Sequence, residues 1–573
     1  MPAASPELQR LKKATDLHGV AALLNVKPSR LSYALYYMPP ATKYRSFTVP
    51  KKRGGTRTIS APHGGLKYIQ KQLATLLLSI EKELEGDRRK NSILAHGFKK
   101  ELSIITNAIR HRNKRWVFNI DLRDFFPSIN FGRVRGFFIA NNQFALTPKT
   151  STILAQLACH DNVLPQGSPC SPPISNLIAR SLDYRLNRLA RECNCTYTRY
   201  ADDITFSTNE PEFPERIAVL AGPHAWQPSE ELASRIVSSG FEINPDKTRM
   251  QYRDSRQDTT GLIVNRHLNV PVEYWKQTRA MCHRLFVDGQ AYRVFDGEKE
   301  PISLDSLRGR LNFIYYIRSL TLGKANLEKP KGIPGYRKIF ARFLNYNAFW
   351  SIEKPVIVCE GKTDGIYLRS AIRSLHAKFP DFFETVDGKV KIRPTFFKYT
   401  TNTREVQDLS GGNGQLKNLV AQYAHRTKGF KGTPKAPVII VTDCDKGAVH
   451  LFEEVSKILG RTVAGADPFY YLHTNLYVVP IPKLGLPETA IEDLFDKTLL
   501  DTKIDGKTFD KTNHEKDGAK FYSKFTFATK VIAASKVPVD YSGFEPLLQA
   551  MLDVEADFAA RLATVPPTVL PAH

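Results

Sequence analysis

The chain has 573 residues, more than one hydrophobic core usually supports, which predicts two to four domains. Its 82 lysines and arginines outnumber its 57 acidic residues, and the formal net charge of +25 favours a polyanionic partner, most commonly nucleic acid. No apolar run reaches the roughly 18 residues that cross a bilayer, the first ten residues lack a signal-peptide core, and the seven cysteines show no repeating spacing. We therefore expect a cytoplasmic protein without a membrane segment, a disulfide framework or a zinc site.

The N-terminal residues 1–45 are predicted to be helical, because apolar side chains recur at near-helical spacing from Leu8 to Leu35. Residues 47–62 contain two extended runs joined by a basic Gly-Gly turn, which predicts a hairpin. Such a hairpin could hold Lys52 and Arg57 over a phosphate group. A surface hairpin with solvated charges explains this segment equally well.

Three aspartates follow or join predicted strands in the next part of the chain. The apolar run Trp116–Ile120 ends at Asp121, and the segment 198–207 predicts two short strands with Asp202 and Asp203 at the turn. Adjacent unpaired carboxylates repel each other, and a divalent cation relieves that repulsion. Three such groups can bridge two Mg²⁺ ions about 3.5–4 Å apart, the arrangement of a nucleotidyl-transfer site. Asp124 is expected to cap a helix instead.

The loop Leu164–Leu177 lies between those acids and contains Gln166 followed by glycine, prolines and serines. Its irregular turn can press its backbone against a nucleotide or a template, and the alternative is a simple helix-entry loop.

Residues 45–320 resemble a reverse transcriptase in the order and spacing of these motifs. The resemblance implies an α+β right-hand polymerase, with fingers and palm at 46–267 and a basic thumb at 268–325. It implies that Asp121, Asp202 and Asp203 are catalytic and bind Mg²⁺. It implies contacts to the incoming dNTP from Arg57, Phe126, Gln166 and Lys247, the last as a proton donor to pyrophosphate.

Two further motifs resemble signatures of bacterial retron enzymes. They are Asn107-Ala-Ile-Arg-His111 and Thr260-Gly261-Leu-Ile-Val, the latter preceded by Thr259 where valine is usual. The resemblance implies binding of a cognate noncoding RNA through Asn107, His111, Thr260 and Gly261.

The second half repeats the pattern of an acid after a buried strand. After a predicted linker at 326–354, the strand Pro355–Cys359 ends at Glu360, and the strand Pro437–Thr442 ends at Asp443-Cys-Asp445. Acids at the carboxyl ends of neighbouring parallel strands predict a second Mg²⁺ site, although each alone is more often a helix cap.

The spacing of these acids resembles the TOPRIM domain of topoisomerases, primases and OLD-type nucleases. The resemblance implies an α/β domain with a parallel sheet at 355–500, followed by a C-terminal extension at 501–573. It implies Glu360 as acid, base or ligand, and Asp443, Asp445 and Glu492 as metal ligands.

Together these two resemblances imply a retron reverse transcriptase that copies its noncoding RNA into branched multicopy single-stranded DNA and carries a nuclease-like effector for antiphage defence. Two alternatives stay open: a group II intron-like maturase, and a second half that only binds or assembles. The sequence leaves open whether the protein forms a homo-oligomer.

Overall fold

The computed structural model describes residues 6–50, 55–86, 93–295, 297–328, 334–510, 520–534 and 539–564. The chain forms two compact units, Met1–Val272 with Tyr316–Lys324, and Glu273–Tyr315 with Ala325–His573. Lys51 and Lys52 lie outside the described residues. No helix in the described ranges is long and apolar enough to cross a membrane.

The first unit has a four-stranded antiparallel sheet with helices around it. Its helices are α1 Pro6–Lys13, α2 Leu17–Leu23, α3 Pro28–Ser32, α4 Pro40–Lys43, α5 Gly64–Glu85, α6 Ile104–Ala108, α7 Phe131–Ala140, α8 Pro148–Ala158, α9 Ser171–Glu192 and α10 Glu230–Val237. Its strands are β1 Tyr44–Pro50, β2 Thr56–Pro62, β3 Trp116–Arg123, β4 Thr196–Tyr200, β5 Asp203–Thr208, β6 Ala218–Gly222, β7 Ala225–Pro228, β8 Glu242–Tyr252, β9 Asp258–Thr259 and β10 Leu262–Ile263.

The main sheet of this unit has the order β4-β5-β3-β8. Apolar side chains of β3 and β5, including Phe118 and Phe206, share one core with Leu73 of α5 and Leu182 of α9. β1 and β2 form the predicted hairpin, with Thr48 opposite Thr58. The core therefore fixes β3 between the hairpin β4–β5 and the long strand β8.

One prediction for this unit is wrong: Asp124 does not cap a helix. The next helix begins at Phe131, and its cap is Asn130, whose side chain accepts from the Arg133 amide at 2.8 Å. Asp124 instead has a φ of 43° in a turn, where its carbonyl accepts from the Ser128 amide at 2.8 Å. A proline disfavours the helical conformation at the residue that precedes it. Because Pro127 follows Asp124 closely, the chain forms a turn first and the helix begins only at Phe131.

The second unit is built on a mixed five-stranded sheet. Its helices, of which the first two also contribute residues to the first unit, are α11 Val272–Asp288, α12 Leu304–Glu328, α13 Gly335–Asn345, α14 Asp364–Ser374, α15 Thr401–Val406, α16 Asn413–Thr427, α17 Val449–Leu459, α18 Lys497–Leu500, α19 Lys524–Thr526 and α20 Glu545–Thr564. Its strands are β11 Tyr292–Phe295, β12 Glu298–Pro301, β13 Val356–Cys359, β14 Phe383–Val386, β15 Lys389–Ile392, β16 Thr395–Phe396, β17 Val438–Thr442, β18 Tyr470–His473, β19 Leu476–Pro480, β20 Thr508–Phe509 and β21 Phe521–Tyr522.

The sheet has the order β16-β13-β17-β19-β18, in which β18 alone pairs antiparallel. Side chains alternate between its faces: Val358 and Ile440 join one apolar cluster, and Ile357 and Ile439 join another. Because both faces are covered, the central strands are apolar at nearly every position.

Candidate active sites

The hairpin β4–β5 brings the three predicted aspartates of the first unit together. Ala201 makes the tight turn with a φ of 57°, and the Asp202 carbonyl accepts from the Leu122 amide at 3.0 Å. Asp203 begins β5 directly opposite Asp121 on β3. The turn and the strand register therefore set all three carboxylates at one end of the sheet.

These carboxylates carry more negative charge than their neighbours neutralise. Lys247 on β8 donates to both oxygens of Asp121 at 2.9 Å, and Asn244 donates to Oδ1 at 3.2 Å. Burial and the charge of Asp121 raise the pKa of Asp202, while burial and the charges of Asp202 and Asp121 raise the pKa of Asp203 to about 7. A cation would relieve this repulsion.

No three histidine, cysteine or carboxylate side chains among the described residues converge as a ready-made metal-binding group. The fit of Mg²⁺ to this site therefore rests on the chemistry of the donors. Carboxylate oxygens are the ligands that Mg²⁺ prefers, and Mg²⁺ completes its shell with water and substrate phosphates.

A cavity of about 800 Å³ opens over these acids. It is lined by Asp121 and Asp202 and by all four predicted nucleotide-binding residues, Arg57, Phe126, Gln166 and Lys247. These residues come from the hairpin β1–β2, the turn after β3, the loop before α9, and β8. The cavity thus joins the acids with cations, an aromatic ring and an amide.

The loop of Gln166 is pressed against the hairpin β1–β2. The Ser60 amide donates to the Gln166 carbonyl at 2.7 Å. Gly167 has a φ of 117°, and a Cβ there would lie 2.9 Å from Ile59 Cγ2 and 3.0 Å from the Ser60 carbonyl oxygen. Only glycine fits this close approach, which fixes the position of Gln166.

Sequence reasoning missed a buried ion pair that supports the aspartate turn. Arg199 on β4 is fully buried, and its Nε and Nη2 donate to the two oxygens of Asp183 on α9 at 2.7 and 2.8 Å. Its Nη1 donates to the Ala201 carbonyl at 3.0 Å, and Tyr197 donates to Asp183 at 2.7 Å. An arginine within a strand of buried residues was the available signal, because such a charge requires a partner.

The predicted RNA-binding histidine lies inside the first unit. His111 is fully buried, with Nδ1 2.7 Å from the Ser207 hydroxyl and Nε2 2.7 Å from the Thr198 hydroxyl. Burial holds the pKa of His111 well below its ordinary value, so the ring is neutral. In this conformation His111 links β4 to β5, and a direct RNA contact stays a prediction.

The other motif residues lie beside it. Asn107 is 1% exposed, and neither polar atom of its amide has a hydrogen-bond partner among the described residues. The Thr260 hydroxyl donates to the Ile104 carbonyl at 3.1 Å, and Gly261 has a φ of 80°. The two retron-like motifs therefore pack against each other behind the aspartate hairpin.

The second unit collects its predicted acids at the carboxyl ends of β13 and β17. The Ile491 amide donates to Asp443 Oδ1 at 2.9 Å, which ties the segment of Glu492 to the end of β17. Asp445 accepts from the Ala448 amide at 3.2 Å and so also caps a helical turn. Glu492 is fully buried, and its Oε2 accepts from Lys524 at 3.0 Å.

Two oxygens of this cluster are buried without a hydrogen-bond partner among the described residues, namely Glu360 Oε2 and Glu492 Oε1. Burial and the charges of Asp445 and Asp364 raise the pKa of Glu360 to about 7. Burial and the charge of Glu360 raise that of Asp443 to about 8. Orphaned carboxylate oxygens with raised pKa values fit a divalent cation.

Lys524 is a second residue that sequence reasoning missed. It lies in the segment predicted as a C-terminal extension, where no motif marks it, and only the fold brings it to Glu492.

Comparisons with known proteins agree with the resemblance of the first part of the chain to a reverse transcriptase. The family model described as "Reverse transcriptase (RNA-dependent DNA polymerase)" matches residues 49–274. Retron Mx65 reverse transcriptase of Myxococcus xanthus is 35% identical over 330 residues, which cover 55% of this chain and 71% of that protein. Retron Ec86 reverse transcriptase of Escherichia coli is 31% identical over 325 residues, which cover 55% of this chain and 91% of that protein.

A solved structure of telomerase from Candida albicans with a fragment of telomeric RNA aligns with a TM-score of 0.31 and 10% identity. The alignment covers 59% of this chain and 64% of the telomerase chain.

Proposed function

This chain belongs to the retron reverse transcriptase family, and we propose that it copies part of a cognate noncoding RNA into branched multicopy single-stranded DNA. The observation that carries the proposal is the cavity in which Asp121 and Asp202 face Arg57, Phe126, Gln166 and Lys247. The substrates would be dNTPs and an RNA template. Because the proposed substrates are dNTPs and an RNA template, we infer a cytoplasmic location.

The predicted site residues of the cavity would each have a part in this reaction. Arg57 and Lys247 would bind the triphosphate, Gln166 would contact the incoming nucleotide, and the ring of Phe126 would reject a ribose 2′-hydroxyl. Mg²⁺ held by Asp121, Asp202 and Asp203 would supply activation of the attacking hydroxyl and stabilisation of the leaving pyrophosphate. Lys247 would protonate that pyrophosphate.

The test is cDNA synthesis by protein expressed together with the genomic DNA that flanks its gene, which we expect to encode the noncoding RNA. Asp121→Asn, and Asp202→Asn combined with Asp203→Asn, should abolish the product. The matched control is Asp254→Asn, which removes one exposed carboxylate from a turn of the same unit. Wild-type yields from the double variant would refute the assignment.

We further propose that the second unit is a TOPRIM-type, Mg²⁺-dependent nuclease that acts as the effector of antiphage defence. The orphaned oxygens of Glu360 and Glu492 and the raised pKa values of Glu360 and Asp443 support a cation there. Mg²⁺ held by Glu360, Asp443, Asp445 and Glu492 would supply Lewis-acid activation of a phosphodiester. The branched product would restrain this unit until infection.

This proposal is tested by incubating the protein with labelled RNA and DNA, with and without Mg²⁺. Glu360→Gln should abolish cleavage and leave cDNA synthesis intact. The control Glu353→Gln changes an exposed glutamate paired with Lys435 and should leave both cleavage and cDNA synthesis unchanged. Absence of cleavage by the wild type would favour the alternative of a binding or assembly module. The family assignment speaks against the maturase alternative.

A further inference from the structure

A basic groove runs along the edge of the sheet in the second unit, outside the carboxylate cluster. The cavity measures about 620 Å³ and lies between helix α14, the hairpin β14–β15 and the edge strand β16. All of its charged lining residues are cations, namely Arg369, Arg373, Lys391 and Lys398. Its apolar lining includes Phe383 and Phe396.

The four cations of the groove have no carboxylate partner among the described residues, whereas cations around them do. Arg393 pairs with Glu555 at 2.6 Å, and Lys354 and Lys378 pair with Glu384 and Glu545. Burial lowers the pKa of Arg369, and the like charge of Arg373 adds to that effect. Glu384 lies opposite Lys391 in the hairpin β14–β15 but pairs with Lys354. Among the described residues the four groove cations therefore have no ion pair of their own, and they fit an anion with several charges.

The aromatic rings restrict the class of anion. The guanidinium of Arg369 lies 4.0 Å from the centre of the Phe396 ring and donates to the Gly365 carbonyl at 2.9 Å, so this pair is fixed. Phe383 is half-buried and lines the groove from the hairpin β14–β15. Cations that follow a phosphate backbone, together with rings on which bases stack, are the combination that binds single-stranded nucleic acid.

The groove ends beside the carboxylates. β16 pairs parallel with β13, so that Phe396 lies opposite Ile357, and the Phe397 amide donates to the Ile357 carbonyl at 2.8 Å. Lys398 and Glu360 therefore both lie just beyond the carboxyl ends of these two strands, at the same end of the sheet. The next residue, Tyr399, donates to the Cys359 carbonyl at 2.5 Å.

Gly411 confirms how closely these segments approach. A Cβ there would lie 2.7 Å from the Glu360 carbonyl oxygen and 3.5 Å from the Tyr399 ring. A nucleic-acid strand bound along the groove would therefore reach Glu360 once it passes Lys398.

We propose that this groove binds the sugar-phosphate backbone of single-stranded nucleic acid and leads the strand to the Glu360–Asp443 cluster. The proposed binding of nucleic acid does not depend on the nuclease function. The proposed guidance of the strand to a reacting centre rests on that function.

The binding is tested on the full chain in Mg²⁺-free buffer, where strand cleavage is not required. Short RNA and DNA oligonucleotides carrying photoreactive 4-thiouridine or 5-iododeoxyuridine are cross-linked, and the modified peptides are mapped by mass spectrometry. We expect cross-links within residues 383–398. Arg373→Ala combined with Lys398→Ala should lower their yield at least about tenfold, because two phosphate contacts are lost.

The matched control removes the same charge from the same unit at paired lysines, Lys378→Ala combined with Lys435→Ala, and should leave the cross-links unchanged. The charge-conserving pair Arg373→Lys and Lys398→Arg should restore most of the yield, which separates lost binding from lost folding. Cross-links elsewhere only, or equal losses in both alanine pairs, would overturn the proposal.

Glu360→Gln separates this inference from the nuclease proposal. We expect it to retain the groove cross-links. If neither the wild type nor any variant cleaves nucleic acid but the cross-links persist, the groove binding is supported and the nuclease proposal is not. If Glu360-dependent cleavage is present and survives Arg373→Ala with Lys398→Ala, the groove is not the substrate path.

Discussion

Lys247 forms an ion pair with Asp121, in which its ammonium group donates to both carboxylate oxygens at 2.9 Å. We predict that Lys247→Ala lowers the single-turnover rate of cDNA synthesis about 100-fold, the usual contribution of a positioned proton donor. Binding of dNTP should weaken much less. Lys71→Ala, an exposed lysine on α5, is the control, and an unchanged rate for Lys247→Ala would contradict the role.

His96 makes a separate prediction about stability. It is 2% exposed, and burial together with the positive charge of Arg110 lowers its pKa to about 4. The ordinary value is about 6.5, so the unfolded chain binds a proton that the folded chain does not, and stability falls as pH drops from 6.5 towards 4. Between pH 7 and 5 this costs on the order of 2 kcal/mol.

Urea unfolding at both pH values checks the expectation. His96→Gln should lose less stability than the wild type on acidification, while the exposed His267→Gln should follow the wild type. Parallel losses in all three proteins would exclude His96 as the cause.

At the scale of residues, the sequence predicts groups whose role is marked locally. Asp121 and Glu360 each follow an apolar run in the sequence, and the recurrence of this pattern together with further acids points to a site. Arg199 and Lys524 were missed because their partners, Asp183 and Glu492, are chosen by tertiary packing. Asp124 was misassigned because a proline in the following turn delays the helix.

At the scale of elements, the hairpin β4–β5 is held from behind by His111, which joins Thr198 on one strand to Ser207 on the other. We predict that His111→Ala destabilises the protein by about 2–4 kcal/mol, because two buried hydroxyls lose their partner. Polymerase activity should fall with it, since the same hairpin carries Asp202 and Asp203.

A double-mutant cycle with Thr198→Val distinguishes this support from a direct RNA contact. If His111 acts within the fold, the two changes should be coupled in unfolding free energy, and RNA affinity should persist below the unfolding temperature. Full stability with lost RNA affinity would instead assign His111 to the RNA interface.

Local patterns predict most strands but not their order. β3, β13 and β17 are visible as apolar runs, and the hairpins follow from turns between alternating residues. The orders β4-β5-β3-β8 and β16-β13-β17-β19-β18 depend on pairing between distant segments. The two-residue strand β16 has no pattern of its own, although it forms the wall of the basic groove.

At the scale of the whole molecule, length predicts two to four domains, and the chain is grouped into two compact units. The predicted boundary after a thumb at 268–325 follows a local enrichment in glycine, lysine and proline. Composition does not predict one feature of the packing, which is that residues 273–315 are grouped with the C-terminal half.

The aromatic contacts of α11 and α12 give this grouping an energetic consequence. The ring of Phe286 lies 5.9 Å from that of Tyr346 and 5.2 Å from that of Phe430, and Tyr315 lies 5.9 Å from Phe340. Burying such rings stabilises a fold by about 1.5–3 kcal/mol each.

We predict that a chain ending at residue 325 exposes the aromatic faces of α11 and α12, aggregates on size exclusion and makes little cDNA. Full-length Asp443→Asn should remain monodisperse and synthesise cDNA normally, because it alters the second carboxylate cluster and leaves those aromatic contacts in place. A soluble truncated chain with wild-type yields would show that the polymerase folds without these contacts.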